Sequence, residues 1–159
     1  MERPEEGKVT KNQKKRWEDE PRKLRILVPI DGSEMTDLVV KRSGQFTRWA
    51  DAELTLLVVI EDVVSLKEIP STPIYEEKKK VADKILRKAK KDLNDHGVEC
   101  KTRIAAGPVA QEIVRIAEEE GFHGIFMGSR GLRGLKRMLL GSVADDVVRY
   151  AHCPVLIIR

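Results

Sequence analysis

The chain has 159 residues, 41% apolar, 35% charged and 4% aromatic, with a net charge of +4. That length supports one domain with a sizeable core, while so small a charge excess and so few aromatics argue against a dedicated nucleic-acid binder. No apolar run approaches the roughly 18 residues of a membrane span. Cys100 and Cys153 do not make a disulfide framework, and the charged N-terminus lacks a leader pattern, so a cytoplasmic protein is expected.

Residues 1–22 are polar and mixed in charge, with Trp17 the only large apolar residue. They are expected to form a disordered or loosely attached extension. The folded domain is expected over residues 23–159.

Leu24–Ile30 is a run of Leu, Ile and Val that predicts a buried strand, leaving through Pro29-Ile30-Asp31-Gly32-Ser33. Glu34–Ala50 follows as a helix, with Met35, Leu38, Val39, Phe46 and Trp49 expected on its core face. Glu53–Ile60 is a second strand. Residues 61–73 carry Pro70 and Pro73 and resist assignment. Ile74–His96 predicts a long helix with Val81, Ile85, Ala89 and Leu93 inward and its Lys/Arg run solvated, ending at Gly97. Val98–Ala106 alternates charged residues as an edge strand would. Gly107-Pro108 opens a helix that buries Val109, Ile113, Ile116 and Ala117 and ends at Gly121. Gly124–Met127 is a fourth strand, Val143–Ala151 a fourth helix and Pro154–Ile158 a fifth strand. This strict β-α alternation predicts a single-domain α/β fold, a doubly wound parallel sheet with helices on both faces.

The most informative stretch lies between the fourth strand and the fourth helix: Gly-Ser-Arg-Gly-Leu-Arg-Gly-Leu-Lys-Arg-Met-Leu-Leu-Gly-Ser, residues 128–142. Glycines permit φ > 0 and close approach to a ligand. The helix that follows offers unpaired amides at its positive end, a place suited to phosphate. Ser142 is placed to cap that helix or to offer a hydroxyl. Two residues separate Gly128 from Gly131, nine separate Gly131 from Gly141, and Ser142 follows. No Gly-Lys-Ser/Thr and no Gly-x-Gly-x-x-Gly occurs, which excludes a Walker A loop and a dinucleotide fingerprint. Asp31, just past the first strand, serves either as a turn aspartate or as a carboxylate near a nucleoside.

The Gly-x2-Gly-x9-Gly-Ser spacing, the first strand with Pro29-Ile30-Asp31-Gly32-Ser33, the second with Leu56–Ile60, and Gly107 together resemble the universal stress protein family over residues 24–159. The resemblance implies five strands in the order 3-2-1-4-5 and an ATP or AMP site. By it, Pro29 and Asp31 lie at the adenosine end, Val59 touches adenine, and Gly107 and Met127 help line the pocket. Gly128, Gly131, Gly141, Ser142 and Val143 hold ribose and phosphates, and Arg130 adds charge. Mg2+ or Mn2+ accompanies the phosphates, and the last strand pairs two chains into a homodimer. One departure is that Gly107 and Pro108 are adjacent, where the family commonly has Gly-x-Pro.

Three functions are compatible with these residues. The first is a nucleotide-binding sensor or switch in stress response. The second is a slow ATP hydrolase or phosphoryl-transfer protein, for which no residue supplies an assured base; a Ser142-Asp145-His152 arrangement lacks a nucleophile elbow. The third is an interaction dimer without nucleotide.

Overall fold

The computed structural model describes residues 23–61, 73–130 and 140–159. The expected N-terminal extension and Gly131 lie outside the described residues. Nine elements alternate as anticipated: β1 (Arg25–Pro29), α1 (Met35–Ala50), β2 (Glu53–Ile60), α2 (Pro73–Asp95), β3 (Cys100–Ala106), α3 (Val109–Glu119), β4 (Gly124–Gly128), α4 (Ser142–Tyr150) and β5 (Val155–Ile158). The five strands form one sheet in the order β3-β2-β1-β4-β5. Every pairing is parallel, with Ile26 opposite Leu54 on one side and Gly124 on the other. Strands buried on both faces favour apolar residues at nearly every position, which explains the near-continuous apolar runs in β1, β2 and β4.

Two cores result. Ile26, Val28, Leu54, Leu56 and Val58 pack under α1 and α2, whereas Leu27, Leu57, Ile125 and Met127 pack under α3 and α4. Alternate residues of one strand thus serve opposite faces. The central strands β1 and β4 send their helices to opposite faces, which opens a crevice at their C-terminal ends.

Two helical stripes differ from the expected ones. α1 buries Thr36, Val39, Val40, Ser43, Gly44 and Thr47, while Trp49 is 83% exposed. The cause is close packing against α2: a Cβ on Gly44 would stand 2.6 Å from Leu93 Cδ2. Only small residues fit that contact, so the larger Leu38 and Phe46 flank it, half-buried, with Phe46 stacked edge-on against Phe126 at 4.8 Å. α2 buries Ala82, Leu86, Ala89 and Leu93. Steps of four residues overshoot a helical turn by about 40° each, so the expected stripe drifts off the core at its N-terminal end, leaving Val81 exposed and Ile85 half-buried. The basic run is a solvated face, as expected. Lys88 pairs with Asp37 at 2.7 Å and Lys91 with Asp95 at 2.6 Å, and each lysine is held above its ordinary pKa by that hydrogen bond.

Candidate nucleotide site

A cleft of about 520 Å³ occupies the crevice between β1 and β4. Such a volume suits a small-molecule ligand. Pro29, Asp31, Val59, Met127, Gly128, Arg130, Gly141, Ser142 and Val143 all line it. The topology therefore brings together residues more than a hundred positions apart.

The floor is apolar and comes from strand ends. Leu57, Val59 and Met127 face the α3–α4 side, with Val109 and Ile113 of α3 beside them. One wall is the β1–α1 turn. Gly32 adopts φ +79°, which only glycine takes easily. Asp31 Oδ1 accepts the Ser33 N–H at 3.0 Å and the Thr36 hydroxyl at 3.4 Å, and Gly32 N–H donates to Thr36 Oγ1 at 3.0 Å. Asp31 is thus a turn aspartate and a cleft residue at once.

The opposite wall is the start of α4. Gly141 is its N-cap, with φ −65° and ψ 152°, and no side chain caps the helix. Ser142 is the first helical residue and does not act as a cap, contrary to one of the two roles expected of it. Asp145 N–H is bonded to Gly141 O at 2.8 Å. The Ser142, Val143 and Ala144 amides before it have no backbone partner among the described residues. All three residues line the cleft. These are the donors that a helix N-terminus leaves without intrahelical partners, at the positive end of its dipole.

The glycines work differently from the expectation of φ > 0. Neither Gly128 nor Gly141 has positive φ. A Cβ on Gly128 would stand 3.2 Å from Arg130 O and 3.3 Å from both Met35 Cβ and Val39 Cγ2. Gly128 thus lets α1 approach the end of β4 closely. Gly107 is not among the residues that line the cleft. Its N–H closes onto Ile60 O at 3.0 Å, its φ is +144°, and Glu112 Cγ lies 3.0 Å from where a Cβ would be. Gly107 follows β3, the sheet edge, which is separated from β1 by β2.

Four polar lining residues escaped the sequence reading: Ser33, Thr36, Glu61 and Lys78. Lys78 Nζ donates to Glu61 O at 3.0 Å, joining the start of α2 to the end of β2. Lys78, Val81 and Ile85 lie on one helical face, a signal present in the sequence but absorbed there into the solvated basic run. The charged side chains of the described lining are Asp31, Glu61, Lys78 and Arg130. Ser142, Asp145 and His152 do not converge: Asp145 accepts from Arg149 Nε at 2.9 Å, and the nine residues of α4 separate Ser142 from His152 by roughly 13 Å. Among the described residues, no three His, Cys, Asp or Glu side chains gather as a metal site. None of the helices described is long and apolar enough to cross a membrane.

An open parallel sheet with a cleft at its topological switch point, between the β1–α1 turn and the start of α4, defines the doubly wound α/β class, whose ligands commonly sit at that point. Comparison with known proteins narrows the class. Residues 24–159 match the universal stress protein family. Universal stress protein YxiE of Bacillus subtilis is 39% identical over 145 residues, covering 85% of this chain and 98% of that protein. Universal stress protein MJ0531 of Methanocaldococcus jannaschii is 36% identical over 139 residues, 85% of this chain and 81% of that one. Among solved structures, a universal stress protein in complex with cAMP is 25% identical, with a TM-score of 0.70 over 86% of this chain and 97% of that one. The chain belongs to the universal stress protein family.

Proposed function

We propose that this protein binds an adenine nucleotide, ATP or AMP, and acts as a stress-response sensor or switch in the cytoplasm. One observation carries the reading: the first three residues of α4, whose amides have no backbone partner among the described residues, line the same apolar-floored cleft as Asp31. The amides suit phosphate, the apolar floor a base, and the carboxylate an N–H or O–H donor of the nucleoside. The solved complex of a family member with cAMP supports the choice of an adenine ligand.

In this reading Pro29, Asp31, Val59 and Met127 hold the nucleoside. Gly128, Gly131, Gly141, Ser142 and Val143 hold ribose and phosphates, and Arg130 adds positive charge. A Mg2+ or Mn2+ ion would be carried by phosphate oxygens and water, as such ions commonly are. Binding is coupled to a homodimer joined through β5. That strand is a sheet edge with Leu156 47% exposed, and edges of this kind invite pairing.

The test is to denature the purified protein, identify any released nucleotide by mass spectrometry, and titrate the stripped protein with ATP and AMP in a calorimeter. ATP released at about one per chain is the expected outcome. No released nucleotide together with no heat at millimolar ATP would end the proposal. Light scattering across a dilution series tests the dimer separately.

A further inference from the structure

We propose that Thr36 is a positioning residue for Asp31, and that through it the β1–α1 turn sets which donor group of a nucleoside the cleft accepts. The inference rests on the nucleotide reading above and goes beyond it by assigning the origin of its selectivity.

Thr36 sits in the first turn of α1, 8% exposed, on the cleft side. A hydroxyl has one proton and two lone pairs. The Gly32 N–H, at 3.0 Å, occupies the oxygen as an acceptor. The proton is then left for Asp31 Oδ1, at 3.4 Å. The same carboxylate oxygen accepts Ser33 N–H at 3.0 Å. Among the described residues, Asp31 is therefore held from two directions, by its own turn and by the helix that follows. The backbone under it is fixed as well. Gly32 is left-handed, and a Cβ there would lie 2.8 Å from Ile85 Cδ1, so α2 backs the turn from the other side.

Chemistry converts this rigidity into selectivity. An ionised carboxylate only accepts hydrogen bonds, so Asp31 rewards a ligand that presents an N–H or O–H at one place. The reward depends on the carboxylate already pointing there, because ordering it on binding costs affinity. A site built to pair with a donor discriminates strongly against an analogue lacking it. Two nucleoside groups have the right chemistry: the 6-amino group of the base and the ribose hydroxyls. Thr36 does not need to touch the ligand to govern either choice.

The experiment is calorimetric titration of the full chain with ATP, ITP (no 6-amino group) and 2′-deoxy-ATP, for wild type, Thr36→Ser, Thr36→Val, Asp31→Ala and the Thr36→Val/Asp31→Ala pair. Wild type is expected to prefer ATP over one analogue, which identifies the donor that Asp31 reads. Thr36→Val should weaken ATP about tenfold and erase most of that preference, and Thr36→Ser should restore both. In the Asp31→Ala background Thr36→Val should change neither, since its route to the ligand is gone. An unchanged Thr36→Val variant, or the same loss with and without Asp31, would overturn the assignment while leaving nucleotide binding standing. Wild type that binds none of the three would remove the nucleotide reading and this inference with it. If Thr36→Val does not fold, Thr36→Ala takes its place in the same cycle.

Discussion

The two walls of the cleft solve the same problem in opposite ways. Both join the C-terminal end of a central strand to the start of a helix, and both helix starts carry amides without intrahelical partners. At α1 the turn before the helix is closed on itself: Asp31, Ser33 and Thr36 form a network of hydrogen bonds around Gly32, and Thr36 N–H returns to Ser33 O at 3.0 Å. Neither helix has a side-chain cap, but at α4 the amides of residues 142–144 have no backbone partner among the described residues. The self-satisfied wall presents a carboxylate; the other presents donors. A ligand with donors at one end and negative charge at the other fits between them, which is the chemistry of a nucleotide. Polar groups left unmade in one wall are thus as informative as those made in the other.

The comparison can be broken most directly at α4. Ser142→Pro removes an amide and a hydroxyl while suiting the first helical position, and Gly141 already has the extended backbone that precedes proline well. Loss of two charge-assisted donors should weaken ATP about a hundredfold with the melting temperature nearly unchanged. Calorimetry and thermal denaturation together check this, and unaltered affinity would mean that phosphate does not sit on α4.

The self-satisfied wall should respond in stability. Gly32→Ala combines φ +79° with a clash on Ile85 and should cost about 2 kcal/mol. Gly97→Ala has φ +74° with open space around it and should cost only about 1 kcal/mol. Urea denaturation measures both. Equal costs would mean that α2 gives way and does not brace the turn.

The smallest effect concerns the thiols, outside the cleft. Burial raises both Cys100 and Cys153 above the ordinary thiol value. Groups raised in the folded state bind protons more tightly there, so their contribution is intact below the unfolded thiol pKa and is lost as pH rises through the folded one. Denaturant stability should therefore decline modestly above about pH 9, and replacing both cysteines by alanine should flatten that decline. Both thiols should also react slowly with iodoacetamide at pH 7, which counts against thiol chemistry as the function.

Much of the architecture is present in local patterns. The alternation of apolar runs with helical periods specifies nine elements and a parallel sheet, because strands buried on both faces and helices buried on one leave different periodicities. The glycine-loop spacing marks α4 as a place for an anion, since that chemistry resides in contiguous backbone. Local pattern was less able to say which face of a helix is buried. Ser43, Gly44 and Thr47 do not look like core, yet they are buried because α2 approaches α1 there. Trp49 looks like core and stands in solvent.

The site divides along the same line. Asp31, Gly128, Arg130 and residues 141–143 are legible from sequence as cleft residues because each stands near a strand end or helix start. Glu61 and Lys78 enter the cleft only because α2 crosses back over the end of β2. Contiguous residues determine which groups a turn or helix start can offer. Strand order and helix packing decide which of those groups meet, because the distances between them are set by contacts far apart in the chain.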